Sequence, residues 1–176
     1  MKKIFTLIAF ITLVSSTSFA QTANLNITLS DVLSFTVTQP NDLNVNFDTE
    51  EKYSNGITAL ATDHISVVSS KGYIVKAVAG TVTGTALLAP GSVKLTSAIG
   101  ATNAGNTGGL TFTSNVILPV AGSDAATIVT ADATSWNGSN SANKFNVSYL
   151  IGANGAYAGK LVGANVIPVV YTVIQK

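Results

Sequence analysis

Cysteine and arginine are both absent from the 176-residue chain. Without thiols there is no crosslinked framework, no thiolate metal site and no cysteine nucleophile, so stability must come from burial. Without arginine, nine lysines face eight acidic residues along the whole sequence. Nucleic-acid binding needs concentrated cationic charge for phosphates, and no such patch is present, which removes that class of partner. Charged residues amount to 10%, with a single histidine and a single tryptophan. Solubility therefore rests on Asn, Thr, Ser and Gly, a composition that suits secreted assemblies in which neighbours cover apolar surface. Beyond the first twenty residues no window longer than a turn or two carries a 3.6-residue apolar period with caps. No internal repeat of fixed period is visible either.

What the chain does have begins with Lys2 and Lys3, an apolar run from Ile4 to Val14, and the small-x-small stretch "SFA" before Gln21. This pattern predicts a secretory signal over 1–20, too short for a comfortable membrane span and followed by no cysteine for a lipid anchor. Processing would leave 156 residues with seven lysines against eight acids, net charge −1 with neutral histidine. That length suits one domain with a real core.

After the leader comes "QTANLNITLSDVLSFTV", in which Leu25, Ile27, Leu29, Leu33, Phe35 and Val37 all fall on odd positions. Alternate side chains of a strand share a face, so this is an apolar edge interrupted only by Asp31. Extended, residues 25–37 would span about 40 Å, roughly twice an ordinary strand. Either the segment bends at Ser30-Asp31 and serves two sheets of its own domain, or its first half belongs to another molecule. In the former case it would be a first strand paired internally with the last. In the latter it would be a donated strand, contributing backbone hydrogen bonds and alternate side chains to a neighbour's sheet.

The remainder reads as short β runs between turn signals. "LNVNF" (43–47) alternates as a half-buried strand, and "DTEEKYSNG" (48–56) reads as a polar loop closing on a tight Asn-Gly turn. "HISVVSS" (64–70) and "YIVKAVAG" (73–80), joined by Ser70-Lys71-Gly72, predict a hairpin. "SVKLTSA" (92–98) and "GLTFTSNVILPV" (109–120) flank a loop at 99–109 too poor in large side chains to pack. Strands follow at 126–132, 144–152 and 165–176, with a polar loop at 135–143. Several short strands of this kind predict a single-domain all-β fold, most simply an immunoglobulin-like β-sandwich over 31–176, preceded by an arm at 21–30.

Candidate chemistry is sparse. Asp63-His64 invites a catalytic reading, but neighbouring strand residues point to opposite faces, so Asp63 is badly placed to orient His64; an ordinary polar residue at a strand start is the plainer reading. Asp48, Glu50 and Glu51 offer hard oxygens for calcium, yet lack the spacing of a dedicated loop and read as a solvated acidic turn. One histidine without thiolates gives no transition-metal set. Trp136, in "SWNGSNSAN", is either a shallow glycan contact or the cap of one end of the fold. Asn26, Asn137 and Asn146 open Asn-x-Ser/Thr triplets, which are expected by chance in so Thr/Ser-rich a chain. No nucleophile–base pair, cofactor motif or metal cluster emerges, and the chain is not expected to be an enzyme.

The leader, the alternating arm, the Gly/Ala/Asn/Thr-rich β runs and the ending "GAYAGKLVGANVIPVVYTVIQK", with Gly163 fourteenth from the C-terminus, together resemble subunits of chaperone–usher fimbriae, in particular the spore-coat-U-like pilin group. The penultimate residue is Gln175 rather than an aromatic, Tyr171 lies earlier, and the disulfide of many members is missing. The resemblance implies an incomplete sandwich whose missing strand is lent first by a periplasmic chaperone, at an outer-membrane usher, and then by the arm of the next subunit. It assigns Leu25, Ile27 and Leu29 as the pocket-filling arm residues of a homopolymeric surface filament. The alternative from the residues themselves is a secreted adhesin or carbohydrate-binding module presenting loops 99–109 and 135–143, with Trp136 against a surface glycan.

Overall fold

The computed structural model describes residues 25–38, 43–138 and 140–176. The expected leader (1–20) and the first four residues of the expected arm (21–24) lie outside them. Among the described residues the chain is mostly β, with one short α-helix and one 3-10 turn at Pro90–Ser92. One antiparallel sheet takes the order β1 (Leu33–Val37), β2 (Ile57–Ser69), β9 (Ala142–Ile151), β5 (Val93–Ile99), β7 (Val116–Ile117). A second takes the order β11 (Val169–Gln175), β3 (Tyr73–Ala79), β8 (Ala126–Ala131), β6 (Leu110–Phe112). A separate two-residue ladder joins β4 (Thr83–Gly84) to β10 (Asn165–Val166).

Alternation puts one face of each strand inward. In "YIVKAVA" of β3, Tyr73, Val75, Ala77 and Ala79 are buried while the residues between are half-exposed, and β9 behaves likewise through Asn143, Phe145, Val147 and Tyr149. Ile65, Val67, Leu95, Phe145 and Val147 from the first sheet meet Tyr73, Val75, Val129 and Ala131 from the second in one core. With no cysteine to crosslink the chain, burial of such side chains, about 1.5–3 kcal/mol each, is the main stabilising term.

Several expectations from the sequence are corrected. The predicted 64–70/73–80 hairpin does not form: β2 pairs with β1 and β9, whereas β3 pairs with β11 and β8. Ser70-Lys71-Gly72 crosses from one sheet to the other instead, so the two apolar faces look at each other across the core. The crossing is fixed by Ser69, whose N–H donates to Ser135 Oγ at 2.7 Å and whose Oγ donates to the Lys71 carbonyl at 2.8 Å. β2 itself begins at Ile57, well before the expected start. The predicted polar loop at 48–56 contains a helix, α1 (Glu50–Asn55), capped by Thr49, whose Oγ1 accepts from Lys52 N–H at 3.3 Å, with Glu50 and Glu51 favourably placed in its first turn. "GLTFTSNVILPV" is split between sheets as β6 and β7, and the final run is divided by Ile167-Pro168 into β10 and β11.

A bulge interrupts β2 where Ala61 pairs Val147 but Ile65 pairs Phe145. Asp63 there has φ 49°, and its N–H donates to Asn146 Oδ1 at 2.7 Å. The extra residues twist the strand and send Asp63 outward and His64 inward.

Candidate functional site: a groove and an exposed arm

The alternating opening segment is divided by the fold. Only Leu33–Val37 joins a sheet, pairing with Ser69–Ile65 of β2 rather than with the last strand. Residues 25–32 belong to no strand, and Leu25, Ile27 and Leu29 are 83%, 69% and 90% exposed. Their root is anchored: Val32 N–H donates to Ser70 Oγ at 2.8 Å, Ser70 N–H donates to the Val32 carbonyl at 2.9 Å, and Lys71 pairs with Asp31 at 2.5 Å.

Because β1 stops at Val37, it covers only the Ile65–Ser69 half of β2. The other half, Ile57–Asp63, has β9 on one side and no ladder partner on the other among the described residues. Leu43–Phe47 keeps its expected alternation, with Leu43, Val45 and Phe47 half-buried and Asn44 and Asn46 exposed, yet it too joins no ladder there. Across the gap, β11 is an edge strand bonded to β3 alone among the described residues, and its inward residues Val169, Tyr171 and Val173 are only half-buried. Two strand edges and the space between them are thus left open.

Beside β11 lies a groove of about 1190 Å³, walled by Val45 and Phe47, by Val169 and Tyr171 of β11, and by the 160–168 segment, with His64 and Tyr149 beneath. It exceeds the usual range of small-molecule pockets, roughly 300–1,000 Å³. Its far wall is organised by aromatic packing: Phe47 meets Tyr53 and Tyr157 edge-on at 5.4 and 5.1 Å between centroids. Gly152, at φ 68°, permits this, since a Cβ there would lie 2.6 Å from the Tyr157 ring.

The polar groups beneath the groove are satisfied among themselves. His64 is buried; its Nδ1–H donates to the Thr38 carbonyl at 2.8 Å, and Thr38 N–H returns a bond to the His64 carbonyl at 2.7 Å. Burial lowers its pKa, and the bond to Thr38 opposes that only in part. Tyr149 and Tyr171 share a short hydroxyl–hydroxyl hydrogen bond and both pack edge-on to His64. Burial raises both phenols, Tyr171 far above its ordinary value, so both stay uncharged at neutral pH. Asp63 is turned away, its carboxylate accepting from Thr102 N–H and Oγ1, the latter at 2.7 Å. It does not orient His64.

The remaining predicted residues fall elsewhere. Asp48 is taken up by Lys52 at 2.5 Å, and among the described residues no group of three acidic, histidine or cysteine side chains is placed to hold a metal. Trp136 is 45% exposed in a loop pinned to 99–109 by Asn106 N–H to the Ser135 carbonyl at 2.9 Å and Asn106 Nδ2 to the Thr134 carbonyl at 3.1 Å. The two loops are therefore adjacent. The sequence raises His64 only as a catalytic candidate beside Asp63, and marks neither Tyr149 nor Tyr171 as a site residue; the buried phase of their strands is the signal for both tyrosines.

Compared with protein-family models, with curated proteins and with solved structures, the chain matches none.

Proposed function

We propose that the chain is a structural subunit of a secreted surface filament, of pilus or fimbrial type, polymerising by donation of residues 21–30 to a neighbouring copy. The two sheets are read as an incomplete immunoglobulin-like sandwich whose open edge receives the arm. One observation carries this reading: a segment with three exposed apolar teeth, which joins no ladder among the described residues, belongs to the same chain as a groove bordered by the edge strand β11. Leu25, Ile27 and Leu29 would enter, and Asn24, Asn26 and Thr28 would face out. Each tooth buried contributes about 1.5–3 kcal/mol, and ladder bonds add roughly 1 kcal/mol each. Ordering six backbone residues costs about 1–2 kcal/mol apiece, so the two sides nearly balance and each tooth matters. A periplasmic chaperone and an outer-membrane usher are the partners this reading brings with it. Deleting 21–30 tests it: heat-sensitive multimers on a denaturing gel should vanish while export continues.

A second reading, a secreted adhesin or carbohydrate-binding module, is favoured by the half-exposed indole of Trp136 on a hydrogen-bonded loop pair. A stable monomer whose tryptophan fluorescence responds to sugars would favour it over the filament.

A further inference from the structure

The sequence holds three Asn-Gly pairs, Asn55-Gly56, Asn137-Gly138 and Asn154-Gly155. In such a pair the glycine nitrogen is well placed to reach the asparagine side-chain carbonyl carbon, since no Cβ hinders its approach and the ring it closes is small and unstrained. The reaction needs that nitrogen unshielded and able to lose its proton. The fold treats the three pairs differently. Gly56 N–H donates to the Lys52 carbonyl at 2.9 Å as the C-terminal cap of α1, and Gly155 N–H donates to the Tyr53 carbonyl at 3.1 Å. Both of these glycines are half-buried.

Asn137-Gly138 stands apart. The pair lies in the tight turn 137–140, where Asn137 N–H donates to the Asn140 carbonyl at 2.7 Å and Asn140 N–H returns a bond to the Asn137 carbonyl at 3.0 Å. Neither bond uses the Gly138 nitrogen, which has no hydrogen-bond partner among the described residues. Asn137 and Gly138 are both exposed, and a Cβ built on Gly138 would meet nothing within 4 Å, so water and hydroxide reach the nitrogen. The Asn137 amide is lightly held as well: its Nδ2 donates to the Ala104 carbonyl at 3.5 Å, the limit of a hydrogen bond. The pair lies outside the groove lining and depends on neither functional reading above.

We infer that Asn137 is a site of self-modification, the Asn-Gly pair that the native fold leaves open to deamidation. Hydroxide takes the Gly138 amide proton and the nitrogen attacks Asn137 Cγ; the N–Cγ bond forms, the Cγ–Nδ2 bond breaks, and Nδ2 leaves as ammonia with a proton from water. Water then opens the cyclic imide at either carbonyl. Opening at Cγ gives aspartate in the original backbone, and opening at the Asn137 main-chain carbonyl carbon gives isoaspartate, with the backbone routed through Cγ. Nothing is oxidised or reduced; one amide is exchanged for one carboxylate. A carboxylate is an acceptor only, so it cannot replace the bond from Nδ2 to the Ala104 carbonyl. The longer isoaspartate backbone also breaks the register of the 137–140 turn. The product is a negatively charged loop tip, released from Ala104, next to the half-exposed Trp136.

The test compares native and unfolded chain. The full chain is held at mildly alkaline pH with and without urea, peptide maps by mass spectrometry follow each pair with time, and a protein isoaspartyl methyltransferase marks the isoaspartate. In the native chain Asn137 should convert at least about tenfold faster than Asn55 or Asn154, since those two must first break the hydrogen bond on their glycine nitrogen. In urea the three rates should converge. Gly138→Ala, whose Cβ obstructs the attack, should slow conversion at Asn137 and leave the other two pairs unchanged. Equal native rates at all three pairs overturn the inference, because the held N–H groups would then give no protection. Conversion of Asn137 only in urea overturns it too, since the turn itself would then protect the pair, and so does a lead that persists undiminished in urea, which sequence rather than fold would cause.

Discussion

Ile27→Asp should separate assembly from folding more sharply than any other single change. In the isolated chain Ile27 is 69% exposed and joins no ladder, so its replacement should leave stability within about 0.5 kcal/mol. In the neighbour's groove the same change forfeits about 1.5–3 kcal/mol of apolar burial. An aspartate beside Val45, Val169 and Tyr171 has Lys160 as its one cationic neighbour among the groove-lining residues, and away from that lysine it enters protonated. Neutralising a carboxyl of ordinary pKa near 3.9 at pH 7 costs a further ~4 kcal/mol at 1.36 kcal/mol per unit. The combined penalty of about 6 kcal/mol corresponds to a ten-thousandfold weaker association. Sedimentation velocity across a concentration series would read the association, and a thermal melt would read the fold. At pH 4 the ionisation part should largely disappear, restoring much of the assembly. Asn26→Asp, on the outward face, should change either quantity little. The reasoning is refuted if Ile27→Asp assembles within tenfold of the parent chain, or if its melting temperature falls by many degrees.

Other outcomes follow from the same structure. His64, with a folded pKa held below the ordinary histidine value of 6.5 by burial, is neutral in the folded chain, while the unfolded chain takes up a proton as pH drops through that value. Stability should therefore be flat above about pH 7 and decline below 6.5 until the folded-state pKa is reached, a decline that His64→Phe should remove from urea titrations. Gly152→Ala forces a Cβ to within 2.6 Å of the Tyr157 ring at φ 68°, and calorimetry should show a loss of about 1–3 kcal/mol. Trp136→Ala, at a half-exposed loop position outside the groove lining, should leave multimer formation unchanged; a loss of assembly would show that this loop takes part in it.

Much of the β content was legible because period-2 alternation is a local signal, and β3, β9 and β11 display it without interruption. Pairing was less legible. The 64–70/73–80 hairpin failed because three small turn residues permit either a hairpin or a sheet-to-sheet crossing, and the choice was made by distant partners: Ser135 on Ser69, and β11 on β3. The helix at Glu50–Asn55 was missed since six residues are too few to show an apolar period, although Thr49 and Gly56 are recognisable caps. The arm was visible from its odd-position teeth, while the groove was not. A groove arises from where β1 stops and where β11 lacks a neighbour, and neither is written in any short stretch of residues.

The central claim is that these teeth are housed by a different copy of the chain. A structure of the assembled material tests it most directly. The account predicts Leu25, Ile27 and Leu29 lying between β11 and the Leu43–Phe47 segment of the adjacent subunit. Finding them instead within their own subunit's groove, or finding copies that share no strand, would contradict it.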